Sequence, residues 1–267
     1  MIIHKNESKS LVDIIQYINT KSQLDKNLKI SEIYGTENFC YFIYSLVKME
    51  QPKVVVELGS GFGICSFMMG QALKENKTGK LWTIDNGVDW HLMKNDVKTK
   101  FKTHKDYFNN LIEKFNLKDF VELIHNVDTS KNLCFYPNQK IDLLFADAQE
   151  VDPIGCMNIL RSYLPIMKPN SSIFIDRAST INHSFLFLEK IINELQNNKI
   201  NASLIDGLPK KEQETIAEMI TKSKFTLVHL VEKDNNKSNK WQNSTAWIKI
   251  EPVDYIFRDN VSNMMRL

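Results

Sequence analysis

Between residues 53 and 196 the chain alternates short apolar, β-branched runs with segments of helical periodicity. That alternation constrains the fold more than any other feature. Residues 53–59 (KVVVELG), 80–85 (KLWTID), 121–126 (VELIHN), 141–148 (IDLLFADA) and 171–176 (SSIFID) read as strands, and 64–75, 104–117, 153–167 and 183–196 read as helices. Strands joined through helices require right-handed crossovers and a parallel sheet covered on both faces. The unbroken apolar run of the first strand fits burial on both faces. The last two strand-like runs, 225–232 and 245–252, have no helix between them and are expected to pair as an antiparallel hairpin at one edge. Upstream, Leu11, Val12, Ile14, Ile15 and Ile18 recur at helical spacing and predict a helix over 9–20. A second helix over 37–49 ends before Pro52, because proline disfavours helix in the residue preceding it. The expected class is α/β: a Rossmann-like, doubly wound, mostly parallel sheet with a C-terminal antiparallel hairpin. Residues 1–51 are expected as an N-terminal helical cap and 52–267 as the main domain.

A chain of 267 residues with 43% hydrophobic and 25% charged residues can bury a core without disulfides. The net charge of +2 argues against a general nucleic-acid binder. Cys40, Cys65, Cys134 and Cys156 are scattered with no CxxC pair, so reduced core thiols are expected rather than a zinc site or a disulfide framework. The first residues, MIIHKNESKS, lack the apolar segment of a signal peptide, and no apolar run approaches the ~20 residues of a membrane span. The expectation is a cytoplasmic protein with neither membrane nor nucleic acid as a partner.

The stretch VVVELGSGFGICS (54–66) runs a strand into Gly59, Gly61 and Gly63. Glycine turns the backbone sharply and lets a ligand approach without a Cβ in the way, and the following helix adds its N-terminal N–H groups. Asp85 ends the next strand, where a carboxylate can accept both ribose hydroxyls of a nucleoside. Together these point to a nucleoside-containing cofactor. A dinucleotide fingerprint needs a third glycine for close helix–strand packing; here that position is Ile64, and Glu57 precedes the loop.

On VELGSGFG (56–63), WTID (82–85), HNVD (125–128), IDLLFADA (141–148) and SSIFID (171–176), the chain resembles class I S-adenosylmethionine-dependent methyltransferases over roughly residues 52–250. The terminal strand pair fits that family too. The resemblance implies that Glu57, Gly59, Ser60, Gly61 and Gly63 surround the methionine part of the cofactor. It implies that Asp85, with Asn86 beside it, holds the ribose, that Val127, Asp128 and Thr129 flank the adenine, and that Asp147 borders the methyl end. Within the family the chain looks like small-molecule O-methyltransferases of the catechol and macrolide-sugar types, in which acids matching Asp147 and Asp176 bind magnesium. The catechol pattern has an amide ligand after the second acid; this chain has Arg177, and a guanidinium has no lone pair for a metal. Arg177 could instead pair with Asp147 or Asp176, or grip an anionic substrate bidentately. Glu150 and Asp152 could supply further oxygens.

An oxygen acceptor needs a base or a metal to take its proton. Asp147 and His183 are the catalytic candidates, Asp176 and Arg177 the substrate-binding ones, and Asp147 with Asp176 the metal candidates. His91, after the Asp85 strand, is a further histidine of suitable pKa. The lysine-rich stretch 94–105 reads as a solvated face or as a lid attracting an anionic acceptor. Residues 34–37 (YGTE) could close over the cofactor. The leading expectation is an enzyme that methylates an oxygen of a sugar, nucleotide-linked compound or secondary metabolite, working as a possible homodimer on its N-terminal helices. Two alternatives stand beside it: an NAD-dependent oxidoreductase, disfavoured by Ile64, and a non-catalytic cofactor-binding protein of the same fold.

Overall fold

Proline and glycine punctuate the chain where the elements change. The computed structural model describes residues 5–20, 37–129, 137–147, 152–179, 183–231 and 244–253. Of the expected features, residues 34–36, Cys134 and Glu150 lie outside them. Two compact units meet the eye, Met1–Phe135 and Tyr136–Leu267.

In the first unit, helix α1 (Lys5–Asn19) buries Leu11, Ile14, Ile15 and Ile18, one stripe at helical spacing. Each such side chain contributes about 1.5–3 kcal/mol when fully buried. Helix α2 (Glu37–Glu50) packs on α3 (Ile64–Asn76). Tyr44 donates to Glu75, Lys48 pairs with Glu75 at 3.2 Å, and Asn76 donates to the Val47 carbonyl at 2.8 Å. Cys40 and Cys65 meet across the same helix pair, Sγ to Sγ 3.3 Å. Strands β1 (Val54–Leu58), β2 (Lys80–Asp85) and β3 (Val121–His125) are parallel in the order β3-β2-β1, with Val56 opposite Trp82 and Leu81 opposite Val121. β1 is buried along its whole length, as its apolar run requires. Between β2 and β3 run a 3-10 turn (Val88–Leu92), a short helix α4 (Asn95–Lys100) and helix α5 (His104–Lys114). The lysine-rich stretch is therefore partly helical.

In the second unit, β4 (Ile141–Ala146) pairs in parallel with β5 (Met167–Asp176), and the strand order is β4-β5-β7-β6. Strands β6 (Ser223–Val231) and β7 (Ser244–Pro252) form the expected antiparallel hairpin, with Phe225 opposite Ile250. β7 also pairs antiparallel with β5, Ile173 opposite Ile248, so β6 is the outer strand of this unit. The fold class is the expected one: α/β, Rossmann-like, with parallel pairing among β1, β2 and β3 and between β4 and β5, and a C-terminal antiparallel pair.

Two details differ from the sequence expectation. The helix expected over 153–167 ends sooner: α6 spans Pro153–Tyr163, a 3-10 turn follows at Leu164–Ile166, and β5 begins at Met167. Pro165 lacks the N–H that would bond back to the Arg161 carbonyl, so the α-helical ladder ends and the chain goes on as a 3-10 turn. After α7 (Ser184–Gln196), the chain also forms α8 (Ala202–Ile205) and α9 (Lys210–Lys222), neither of them anticipated. α9 buries only Ile216, Met219 and Ile220 among charged residues, a stripe too narrow to stand out in the sequence. Among the described residues no helix is long and apolar enough to cross a membrane.

Candidate functional site

At the end of β1 the backbone passes through Gly59, Gly61 and Gly63 at φ 87°, 48° and 89°, all left-handed. Only glycine takes up such angles without strain. The Gly59 N–H donates to the Ile84 carbonyl at 2.9 Å and the Gly63 N–H to the Ser60 carbonyl at 2.7 Å, so the loop closes on itself and on β2. The two later glycines serve different ends. A Cβ on Gly63 would strike the Phe67 ring and lie 3.1 Å from Phe108, so this glycine permits helix packing. A Cβ on Gly61 would meet nothing within 4 Å: its face is open.

Asp85, the last residue of β2, is buried and faces this loop. Its Oδ2 accepts the Gly61 N–H at 2.9 Å and its Oδ1 the Gly87 N–H at 2.5 Å. A carboxylate has about four acceptor sites, so two remain after these bonds. Ser60 is buried and its hydroxyl has no partner, a state that native proteins rarely leave unanswered. Asn86 is exposed and its side chain accepts the Val88 N–H at 2.9 Å, fixing the turn after β2. Val127, Asp128 and Thr129 follow β3 and are half-buried.

Glu57 lies deeper than the loop. It is 1% exposed and accepts hydrogen bonds from Ser66 and Thr83, the latter at 2.5 Å. Burial pushes its pKa up to about 7 against the lowering effect of the two hydroxyls.

Two histidines not foreseen as site residues adjoin the loop. His104, the first residue of α5, places Nε2 2.8 Å from the Gly61 carbonyl. His125 ends β3, with its ring 5.8 Å from that of His104 at an interplanar angle of 24°. Burial and then His104 lower the His125 pKa, against the raising effect of Asp85. The sequence signal for His104 was the pair Thr103 and Asp106. Their side chains form a capping box that starts α5 and fixes His104 in its first turn. His91 is exposed and its Nδ1 lies 2.7 Å from the Val88 carbonyl, a local contact of the 3-10 turn.

A second cluster stands in the other unit. Asp147 follows β4, and Asp176 ends the neighbouring β5, so parallel pairing brings the two carboxyls together. Thr245 on β7 donates to Asp176 Oδ1 at 2.7 Å. Burial raises the Asp176 pKa, against the lowering effects of Thr245, Arg177 and Asp147. Arg177 takes a left-handed φ of 53°, and its Nη2 lies 3.4 Å from Asp147 Oδ1 with 49% of its side chain exposed. His183 is exposed and begins α7 at φ 62°, without a capping bond from its side chain. Asp152 caps α6, accepting the Gly155 N–H at 2.6 Å, so it acts on its own helix.

These donors can be matched to ligands. The open face at Gly61, the orphaned Ser60 hydroxyl and the remaining acceptor sites of Asp85 fit a polar nucleoside cofactor. Magnesium fits less well: it wants six oxygens, and here the strand-end acids stand beside a guanidinium. Among the described residues no group of three or more His, Cys, Asp or Glu could hold a metal ion.

Residues 56–177, which include the glycine loop, Asp85, Asp147, Asp176 and Arg177, match a family model described as a methyltransferase domain. No curated protein matches the chain. In fold, the chain is similar to an O-methyltransferase from Bacillus cereus solved in complex with SAH, at 15% identity over 91% of each chain and a TM-score of 0.51. It is also similar to the SAH-bound methyltransferase PaMTH1 from Podospora anserina, at 11% identity over 95% of this chain and 98% of that one, with a TM-score of 0.50. Residues 56–177 thus match a methyltransferase-domain model, and the fold is similar to that of solved O-methyltransferases.

Proposed function

We propose that the protein transfers a methyl group from S-adenosylmethionine to an oxygen of a small molecule. The observation that carries this reading is the Gly61 cradle, with an open face, a buried unpartnered Ser60 hydroxyl and the Asp85 carboxylate at one loop. Asp85, with Asn86, would hold the ribose, Gly59, Ser60, Gly61 and Gly63 would border the methionine end, and Val127, Asp128 and Thr129 would flank the adenine. Glu57 acts from below, holding Ser66 of α3 and Thr83 of β2 against the loop's strand. When bound, the cofactor supplies a methyl group on a positively charged sulfur. The SAH in the Bacillus cereus and Podospora anserina structures supports the choice of cofactor.

In the acceptor region, Asp147 and His183 would take the proton of the reacting hydroxyl, while Asp176 and Arg177 orient the acceptor. Asp147 would accept the proton as a carboxylate, with the Arg177 guanidinium beside it. A guanidinium half open to solvent suits an anionic acceptor, such as a phosphorylated or nucleotide-linked sugar. No step is assigned to a metal. Residues 1–51 would serve as a helical cap over the methyltransferase domain.

Calorimetry with S-adenosylhomocysteine is the first test. Binding is expected, and its absence at millimolar ligand overturns the proposal. Asp85→Ala should weaken that binding by about 1–3 kcal/mol, because it removes the acceptor for two backbone N–H groups as well as for the ribose. Methyl transfer, once an acceptor is found, should survive a chelator.

A further inference from the structure

Gly61 is held from two directions. Its N–H goes to Asp85 Oδ2 at 2.9 Å, and its carbonyl lies 2.8 Å from His104 Nε2. A carbonyl oxygen only accepts, so Nε2 carries the ring proton. The ring is 4% exposed, and its other nitrogen, Nδ1, is buried with no partner. A buried nitrogen left without a partner costs free energy. The protein accepts that cost at a residue whose opposite edge touches the loop.

His104 is itself fixed from behind. Thr103 Oγ1 accepts the Asp106 N–H, and Asp106 Oδ2 accepts the Thr103 N–H, each at 3.1 Å. The His104 ring packs against Phe108, at 5.7 Å, and against His125, at 5.8 Å, between centroids. Gly87 keeps this wall close: a Cβ there would lie 3.0 Å from His125 Nε2 and 3.2 Å from His104 Cβ. The end of β2 and the start of α5 therefore close on Gly61, whose face is open.

We infer that His104 is a positioning residue for the cofactor: its Nε2–H holds the Gly61 carbonyl out of the cradle. This rests on the cofactor reading above. A glycine peptide rotates more easily than any other. Unheld, the Gly61 carbonyl could swing toward the open face, where the carboxylate of the cofactor's methionine end would be repelled by its partial negative charge. Held by His104, the carbonyl points away, and the trans peptide carries the Phe62 N–H on the opposite side. Asp85 and His104 act as a clamp on the two polar groups of one residue.

The test combines His104→Phe, which keeps the ring and removes the donor, with His104→Gln, whose Nε2–H can still reach the carbonyl. Calorimetry with S-adenosylhomocysteine should show binding about tenfold weaker in His104→Phe, the scale of one lost hydrogen bond. His104→Gln should stay within about threefold of wild type, on the same scale. Proton–nitrogen correlation spectra of histidine-labelled wild-type protein should place the His104 proton on Nε2 before ligand is added. Equal affinity in wild type and His104→Phe, or equal losses in both variants, overturns the inference. So does a wild-type spectrum with the proton on Nδ1, a readout that needs no variant to fold. Wild-type protein that binds no S-adenosylhomocysteine overturns the cofactor reading and this inference with it, whereas wild-type binding beside an unaltered His104→Phe removes only the role of His104.

Discussion

The glycine-loop region and the acid region are built from different materials. In the first, the groups that face a ligand are mostly backbone: Gly61 is fixed by Asp85 and His104, Gly87 by Asp85, and Gly59 by β2. In the second they are side chains on strand ends, Asp147, Asp176 and Thr245, with Arg177 on the turn that follows. Backbone geometry changes little when a neighbouring residue is substituted, whereas a side-chain cluster changes with every one of its members. A cradle for a constant cofactor suits the first construction, and a surface for a particular acceptor suits the second.

Four substitutions break or sharpen this contrast. Gly63→Val should be the most damaging. It combines left-handed strain with a collision against Phe67 and Phe108, at a cost of about 4 kcal/mol measured by denaturant unfolding. Glu57 should make stability fall as pH rises. Its folded pKa is raised from an ordinary 4.5 to about 7, so its contribution is fully present below 4.5 and lost as pH climbs through about 7. At 1.36 kcal/mol per pH unit the difference is roughly 3 kcal/mol. Glu57→Gln should flatten that slope in unfolding curves taken between these two pH values.

Gly61→Ala separates the fold from the site. Its methyl meets no neighbour, so stability should drop by only about 1 kcal/mol from the left-handed backbone. The same methyl fills the cradle, and titration should show S-adenosylhomocysteine affinity reduced about tenfold or more, which is about 1.4 kcal/mol or more. A variant that binds normally would place the ligand elsewhere. Arg177→Met should change stability least, by under about 1 kcal/mol, because the pair with Asp147 is half exposed. A loss well above that in thermal unfolding would make Arg177 a structural member of the second region rather than a group held ready for the acceptor.

The same contrast explains what could be read from sequence. Continuous apolar strands and the glycine spacing announced β1, β2 and the loop, because those patterns follow from burial and from φ angles that only glycine takes easily. Asp85, Asp147 and Asp176 could be placed at strand ends for the same reason. The partnerships were hidden. His104 lies 43 residues from Gly61, Thr245 lies 69 from Asp176, and Cys65 lies 25 from Cys40. Such distances carry no periodic signal. Helix α9 escaped because its buried stripe is three residues in a charged segment, and the end of α6 was misplaced because its apolar pattern runs on past Pro165.

The segment that matches a methyltransferase-domain model, residues 56–177, starts within β1 and stops one residue after β5. That is a boundary of family resemblance, and it cuts through the architecture. A fragment trimmed to it would lose α2, whose Tyr44 and Lys48 grip Glu75, and would uncover the side of α3 that α2 now covers. It would also lose β7, leaving the far edge of β5 with its ladder of donors and acceptors bare. Bare strand edges recruit other chains. Expressed alone, the matched piece should aggregate, because the elements covering α3 and the edge of β5 lie outside it.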